Sequence, residues 1–263
     1  MDTEARSTPV RSLAAANDSA APEARKLSAR LEPFDSYWQA PENVGAGYQK
    51  FKAYYRANYL PHLPPDKAAS ILVISCGPGY LLDTLKDAGY TNVVGIDSDP
   101  AKVAHGRARS LNCVAARAFE YLQDTPDVYD VIIPEQELNH LTLDETIAFL
   151  RLCHARLRRG GLLVAYGLNG ANPFVGSENL SHNIDHFYTF TEYSFGQILA
   201  LGGFPQSRVL DLKLYVFWKN PLNYVGLAVT KSFELASRVM FKLYGKNVTR
   251  LSKKIMAVAA RVD

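Results

Sequence analysis

The sequence predicts an α/β domain built on a mostly parallel sheet, and three observations carry that prediction. From Ser70 onward, short apolar runs alternate with helix-length segments, the rhythm of strands joined by right-handed helical crossovers. The first apolar run ends in a glycine-rich turn, Cys76-Gly77-Pro78-Gly79, with a helix-forming stretch directly behind it. The second run ends in a carboxylate, Asp97.

Taken in order, residues 1–33 are rich in Ala, Ser, Pro, Glu and Arg and nearly free of aromatic and β-branched residues, so a disordered tail is expected there. A single domain is expected over 34–263: a helical segment at 34–66, a core at 70–205 and a strand–helix–strand end at 206–263. Tyr48, Phe51, Tyr54 and Tyr55 share helical spacing. The aromatic segment from Tyr37 to Tyr59 either folds over a ligand as a lid, with Lys50 or Arg56 reaching the ligand's carboxylate, or packs a helix onto the sheet. Packing is the reading for Phe51 and Tyr55. Residues 61–66 end that helix.

Residues 71–75 read as a strand buried on both faces, and 80–88 as a helix closed by Gly89. Residues 93–96 form a second strand, with Asp99 as N-cap and Pro100 at the first helical position of the next helix. A short strand at 113–116, a helical piece at 119–122 and a strand at 129–133 follow. Thr142 and Glu145 form a capping box for a helix lasting to about Arg158. Gly160-Gly161 is expected to stop it, before a fifth strand at 162–166. The end of the chain reads as a helix at 191–201, a strand at 208–215, a long helix at 222–244 and a last strand at 254–262.

With 263 residues, 48% of them hydrophobic and 21% charged, the chain can build a sizeable core. A net charge of +3 gives no global field for nucleic acid, and no nucleic-acid partner is expected. Cys76, Cys113 and Cys153 match no zinc or CxxC spacing and read as reduced thiols. No leader-like run opens the chain and no stretch has about 18 uninterrupted apolar residues, so the expected location is cytoplasmic.

The turn and Asp97 suggest a chemistry. At the carboxyl end of a parallel strand, glycines let a bulky ligand approach the backbone, and the next helix offers free amides. A carboxylate ending the second strand can accept hydrogen bonds from both hydroxyls of a ribose. Gly-Pro-Gly alone is also an ordinary tight turn, but strand, helix and Asp97 together favour a nucleoside site. Asp97 can also be read as an N-cap, although Asp99 fills that role better.

The order of these segments resembles class I S-adenosylmethionine-dependent methyltransferases, which have a Rossmann-like fold. Ile71-Leu72-Val73-Ile74-Ser75-Cys76-Gly77-Pro78-Gly79-Tyr80 looks like their first motif, and Gly95-Ile96-Asp97-Ser98 like their second. Residues 129–141, ending Leu138-Asn139-His140-Leu141, resemble the fourth strand and its continuation. Residues 157–163 resemble the "LKPGG" turn into the fifth. The likeness covers about residues 70–205. It implies a seven-stranded sheet with an antiparallel last strand, and S-adenosyl-L-methionine as methyl donor. The donor-binding set it implies is Ser75, Cys76, Gly77, Gly79, Asp97, Ser98, Ala118, Phe119 and Glu135.

Three positions depart from the pattern. Val73 stands where the first motif carries an acid, Ser75 replaces its first glycine, and Arg117 takes the place, near the end of the third strand, of the acid that reaches the adenine amino group. Each lost charge-assisted hydrogen bond is worth roughly 1.5–3 kcal/mol. The departures leave a second reading open, a nucleoside-binding pseudoenzyme that serves as a regulatory or scaffold partner.

On the acceptor side, His140 lies just past strand four. Residues 181–191 resemble a loop of bacterial methyltransferases of glycan and polysaccharide pathways, with His186 on that loop's histidine and Asn183 and Asp185 departing from it. His186 and His140 are the candidate catalytic bases for a hydroxyl of a sugar, glycan or other small acceptor. Each has a bland alternative, packing or capping of the next helix. Two histidines and an aspartate in one loop do not make a diagnostic metal pattern, and no metal is expected. Asn169, Asn172, Pro173 and Phe174 are expected at the acceptor entrance. The helix at 222–244 has a narrow polar stripe, Lys231, Glu234, Arg238 and Lys242, and a broad apolar surface. That breadth suggests a homodimer interface, an apolar acceptor or peripheral membrane contact aided by Lys246, Arg250, Lys253 and Lys254. Burial against the sheet is the simplest alternative.

Overall fold

The computed structural model describes residues 42–135, 138–182, 186–213 and 221–263. The chain divides into two units, Met1–Phe34 and Asp35–Asp263. The first unit, with the expected tail, lies outside the described residues, as do Gln136, Glu137, Asn183 and Asp185.

Helix α1 (Val44–Asn58) leads through a 3-10 turn into β1 (Ile71–Ile74) and α2 (Tyr80–Asp87). Next come β2 (Val93–Asp97), α3 (Pro100–Ala108), β3 (Cys113–Ala115), α4 (Ala118–Asp124) and β4 (Tyr129–Pro134). A 3-10 turn at Leu138–His140 precedes α5 (Leu143–Arg156), β5 (Leu157–Leu168), α6 (Gly176–Ser181) and α7 (Glu192–Leu201). The chain continues through β6 (Ser207–Asp211), α8 (Leu222–Leu243) and β7 (Lys254–Ala260). The seven strands form one sheet in the order β3-β2-β1-β4-β5-β7-β6. β1 to β5 are parallel, and β7 runs antiparallel to both β5 and β6.

The sheet is buried on both sides, which is why its central strands are near-continuous apolar runs. Alternate residues serve alternate faces. Ile71 and Val73 pack with Tyr48, Tyr55, Leu81 and Leu85 of α1 and α2. Leu72 and Ile74 pack with Leu122, Phe149, Cys153 and Phe195 of α4, α5 and α7. The expected caps form: Asp99 accepts from the Ala101 and Lys102 amides, and Thr142 with Glu145 closes a capping box.

Three expectations need correction. Gly160-Gly161 does not stop a helix: α5 ends at Arg156, and the glycines lie inside β5, where the register with β4 slips between Tyr129 and Val131. Gly160 takes φ +76° in that irregularity, and a Cβ on Gly161 would meet the Arg158 carbonyl oxygen at 2.8 Å. Arg158 from the same stretch reaches both oxygens of Asp130 at 3.0 Å. Second, β6 ends at Asp211; the expected continuation to 215 runs beyond the described residues. Third, α8 has the expected extent but is not buried against the sheet: Ser237 is its one buried residue.

Candidate functional site

The carboxyl edge of the sheet is built around the junction of β1 and α2. β1 is wholly buried, and the chain leaves it through three left-handed residues, Ser75 at φ +56°, Gly77 at +55° and Gly79 at +91°. This conformation strains Ser75 and suits the glycines. Space as well as φ fixes Gly79, since a Cβ there would meet Leu111 at 2.8 Å. Gly95 of β2 leaves room for the loop in the same way, since a Cβ there would lie 2.9 Å from Cys76.

Asp97 ends β2 facing this loop. One carboxylate oxygen accepts the Gly77 amide at 2.8 Å and the other the Asp99 amide at 2.9 Å. Each oxygen therefore keeps a lone pair for a further donor. Because Asp99 caps α3, Asp97 is not spent as an N-cap. Cys76 is buried beneath the loop, its amide donating to Ile96 at 2.9 Å, while Ser98 is exposed beside Asp97. Ala118 and Phe119 open α4, half-buried, with the Phe119 ring 5.7 Å from that of Phe149. Arg117 before them is turned outward and pairs with Glu120 at 3.6 Å.

α1 clamps the loop from above. The Tyr48 hydroxyl donates to the Pro78 carbonyl at 2.5 Å, and the Tyr48 ring meets Tyr80 edge-on at 4.8 Å. Gly47 lies so close to the Tyr80 ring that a Cβ would overlap it. Phe51 stacks on Tyr80 at 5.0 Å, so the aromatics of α1 are packing groups. Arg56 reaches Asp87 of α2, which fixes it on the side of α2 instead of over the loop. Lys50 is exposed.

Past the end of β4, Glu135 is buried. The Tyr55 hydroxyl donates to its carboxylate at 3.3 Å and the Tyr59 hydroxyl helps to hold its charge, while Oε1 has no hydrogen-bond partner among the described residues. Burial pushes the Glu135 pKa up, against the opposing effect of the two tyrosines and Lys254. Lys254, at the start of β7, turns inward with its ammonium 4.9 Å from the centre of the Tyr166 ring. Burial alone would lower its pKa, but Tyr166 and Glu135 outweigh that and hold it above the ordinary lysine value. Lys254 is therefore not a membrane-facing cation. Arg250 is also engaged, with Asp211 at 3.3 Å and Glu192 at 3.8 Å.

The two candidate bases come together. The His140 and His186 rings meet edge-on at 4.8 Å, and His186 Nδ1 lies 2.6 Å from the Asn179 carbonyl. The amide of Phe187 donates to the Asn139 carbonyl at 3.0 Å, which ties the histidine loop to the turn after β4. His186 does not cap α7, because Thr191 and Ser194 do so themselves. Asn169 is no entrance residue: it is fully buried and its amide bonds the Arg250 and Ser252 carbonyls at 3.0 and 2.8 Å. Asn172 and Phe174 line a cavity of about 380 Å³ beneath α8, together with Leu212, Leu227 and Lys253. Pro173 is exposed beside it.

Sequence reasoning did not foresee the roles of Tyr48, Tyr59, Tyr166 and the inward Lys254. Tyr48 belonged to the visible aromatic stripe. The others need the register of β5 against β7, in which Leu168 faces Lys254, before they meet.

Comparison with known proteins agrees with this geometry. Residues 71–161 match a family described as "Methyltransferase domain". No curated protein matches the chain. Among solved structures, it is similar to a S-adenosylmethionine-dependent methyltransferase from Archaeoglobus fulgidus, with TM-score 0.62, 18% identity, and 86% of this chain and 100% of that one covered. It is also similar to a possible histamine N-methyltransferase from Thermotoga maritima, at 0.56 and 11%, covering 85% and 97%. A third is phosphoethanolamine N-methyltransferase 2 of Haemonchus contortus, in complex with S-adenosyl-L-methionine, at 0.55 and 14%, covering 86% and 59%. The fold is that of the S-adenosylmethionine-dependent methyltransferases. The stretch carrying the glycine loop and Asp97 is a methyltransferase domain, an enzyme module that takes S-adenosylmethionine as its donor. The spare acceptor capacity of Asp97 fits the ribose of that donor.

Proposed function

We propose that the protein methylates a hydroxyl of a sugar, glycan or other small acceptor, with Gly77, Gly79 and Asp97 holding the donor. Ser75, Cys76, Ser98, Ala118 and Phe119 complete the donor cleft in this reading. S-adenosylmethionine supplies a methyl group already activated on a sulfonium, so the protein has mainly to align a nucleophile, exclude water and accept a proton.

The observation that carries the oxygen reading is the setting of His186. Its Nδ1 donates to the Asn179 carbonyl, which in the neutral ring leaves Nε2 as the proton acceptor. A fixed tautomer beside a second imidazole suits removal of a hydroxyl proton. His186→Ala should lower turnover by roughly two orders of magnitude, with S-adenosylhomocysteine affinity unchanged by calorimetry. Unchanged turnover on a hydroxyl acceptor would return the histidine to packing. Asp97→Ala tests the donor site, with an expected loss of roughly tenfold or more in S-adenosylhomocysteine affinity.

The outward face of α8 is assigned to a second copy of the chain. The face turned to the core holds Asn223, Leu227, Thr230, Glu234, Ser237 and Phe241. The opposite face exposes Val225, Val229, Ser232, Ala236, Val239 and Leu243, the alternating four- and three-residue spacing of a helix–helix seam. Sedimentation should give a dimer indifferent to anionic vesicles. A salt-sensitive shift onto vesicles would replace the dimer with a membrane surface. Among the described residues, no helix is long and apolar enough to cross a membrane.

A further inference from the structure

We propose that the cavity beneath α8 seats the acceptor, and that the acceptor is an amphipathic acid, an apolar ring-sized body carrying an anionic group. The inference rests on the reading of the chain as a methyltransferase of a small hydroxyl acceptor, and it narrows that acceptor to one class.

The cavity has a volume of about 380 Å³ and adjoins a second space of about 150 Å³, the two sharing Asn172, Phe174, Thr230 and Glu234. Sites for small ligands measure about 300–1,000 Å³. Protein interiors are close-packed, so a void of this size under a 22-residue helix needs a cause. The sequence of α8 supplies it: toward the space the helix presents Thr230, Glu234 and Ser237, where a packed helix would present large apolar groups. Leu227 on the helix, with Val175 and Leu212 from the rest of the fold, makes the walls apolar, and Phe174 packs against Phe233 at the second space. All of these residues lie outside 71–161, the stretch that matches the methyltransferase family, so the family's motifs do not account for the cavity.

The charges around the cavity are unbalanced in one direction. Both acids that line it are engaged, Glu234 with Lys231 at 2.7 Å, and Asp211 with Arg250 at 3.3 Å and the Ser252 amide at 3.1 Å. Lys213 and Lys253 line it too, and among the described residues their ammonium groups pair with no carboxylate. Both lysines are exposed, so an anionic group at the mouth meets two cations while its apolar body is withdrawn from water. An uncharged sugar would leave both lysines unanswered and set its hydroxyls against apolar walls. The cavity also adjoins the proposed base. The side-chain amide of Asn179 on α6 donates to the Lys253 carbonyl at 3.3 Å, and the backbone carbonyl of Asn179 accepts from His186 Nδ1 at 2.6 Å. One residue thus fixes both the cavity wall and the histidine.

The test is calorimetry on the full chain with a hydroxynaphthoate and the matching naphthol, which share ring and hydroxyl and differ only by the carboxylate. The parent should bind the naphthoate about tenfold or more tighter, an advantage that shrinks as salt is raised. Lys213→Gln combined with Lys253→Gln should lose that advantage and bind the naphthol as the parent does. Thr230→Phe, which puts a ring into the cavity, should bind neither compound. S-adenosylhomocysteine affinity should be unchanged in both variants. A parent that binds the two compounds alike or not at all, or a Thr230→Phe variant that binds both as the parent does, overturns the assignment. Should Thr230→Phe fail to fold, the lysine variant decides alone, and an undiminished preference there overturns it. Failure of the hydroxyl-methylation reading looks different. The naphthoate then binds with the expected preference and responds to both variants, yet gains no methyl group from S-adenosylmethionine, a result that keeps the anion site and removes its role as acceptor site.

Discussion

Single residues here show how differently two aspartates can be read. Asp97 was legible from the sequence because it ends a strand and because Asp99 and Pro100 behind it claim the cap. Asp130 was visible only as part of a strand, yet it ties three segments together. It accepts the Ser70 amide at 2.7 Å and hydroxyl at 2.8 Å, and both its oxygens accept from Arg158 at 3.0 Å. Burial works to raise its pKa, but the Ser70 bonds and Arg158 win and hold it below the ordinary value. A carboxylate with a depressed folded pKa stabilises the protein above its unfolded value, about 3.9, and loses that contribution as pH falls through the folded value. Asp130→Asn should therefore cost about 1–3 kcal/mol at neutral pH. Urea titrations of parent and variant should converge as pH falls through the depressed folded value; a constant gap across the range would show that shape and not charge is at stake.

At the scale of elements, the sequence placed α1 and α8 well and left the task of each open between alternatives. The aromatic stripe of α1 was open to two readings, lid or packing, and the contacts of Phe51, Tyr48 and Gly47 with Tyr80 decide for packing. The Tyr48 hydroxyl adds a hold on Pro78 that no pattern of apolar spacing announces. Tyr48→Phe keeps the ring and removes that hold, so S-adenosylhomocysteine affinity should fall a few-fold, about 1 kcal/mol, with an unchanged circular dichroism spectrum. For α8, amphipathic reasoning assumes the apolar side faces inward. Here Leu235 and Val239 are 65% and 53% exposed. Replacing both by Glu should change monomer stability by only about 0.5 kcal/mol each while abolishing the dimer in sedimentation. A large loss of stability would mean these side chains are covered within the chain's own fold.

For the whole molecule, the sheet was the most legible part, since five buried runs separated by helices allow few parallel arrangements. The antiparallel β7 between β5 and β6 came only with the family resemblance, because alternation along the chain stops after β5. The polar cluster of Glu135, Tyr59, Tyr166 and Lys254 was illegible for the same reason. It joins α1-side, β4, β5 and β7 residues that are far apart in sequence and meet only once the strand order is known. The helix-stopping power of Gly160-Gly161 failed because a local rule was overridden by pairing, with β5 starting at Leu157 opposite Tyr129.

The position of β7 also bears on how the chain is made. The ribosome releases β7 after every other strand, yet it fills the slot between β5 and β6 and bonds to both. Until then the growing polypeptide holds β5 as an unpaired edge and β6 with no neighbour at all. Such an edge is a template for the wrong strand, and pairing across so long a separation is slow. Nascent chains arrested before Lys254 should stay protease-sensitive and chaperone-bound, and the emergence of β7 should be the event that closes the sheet.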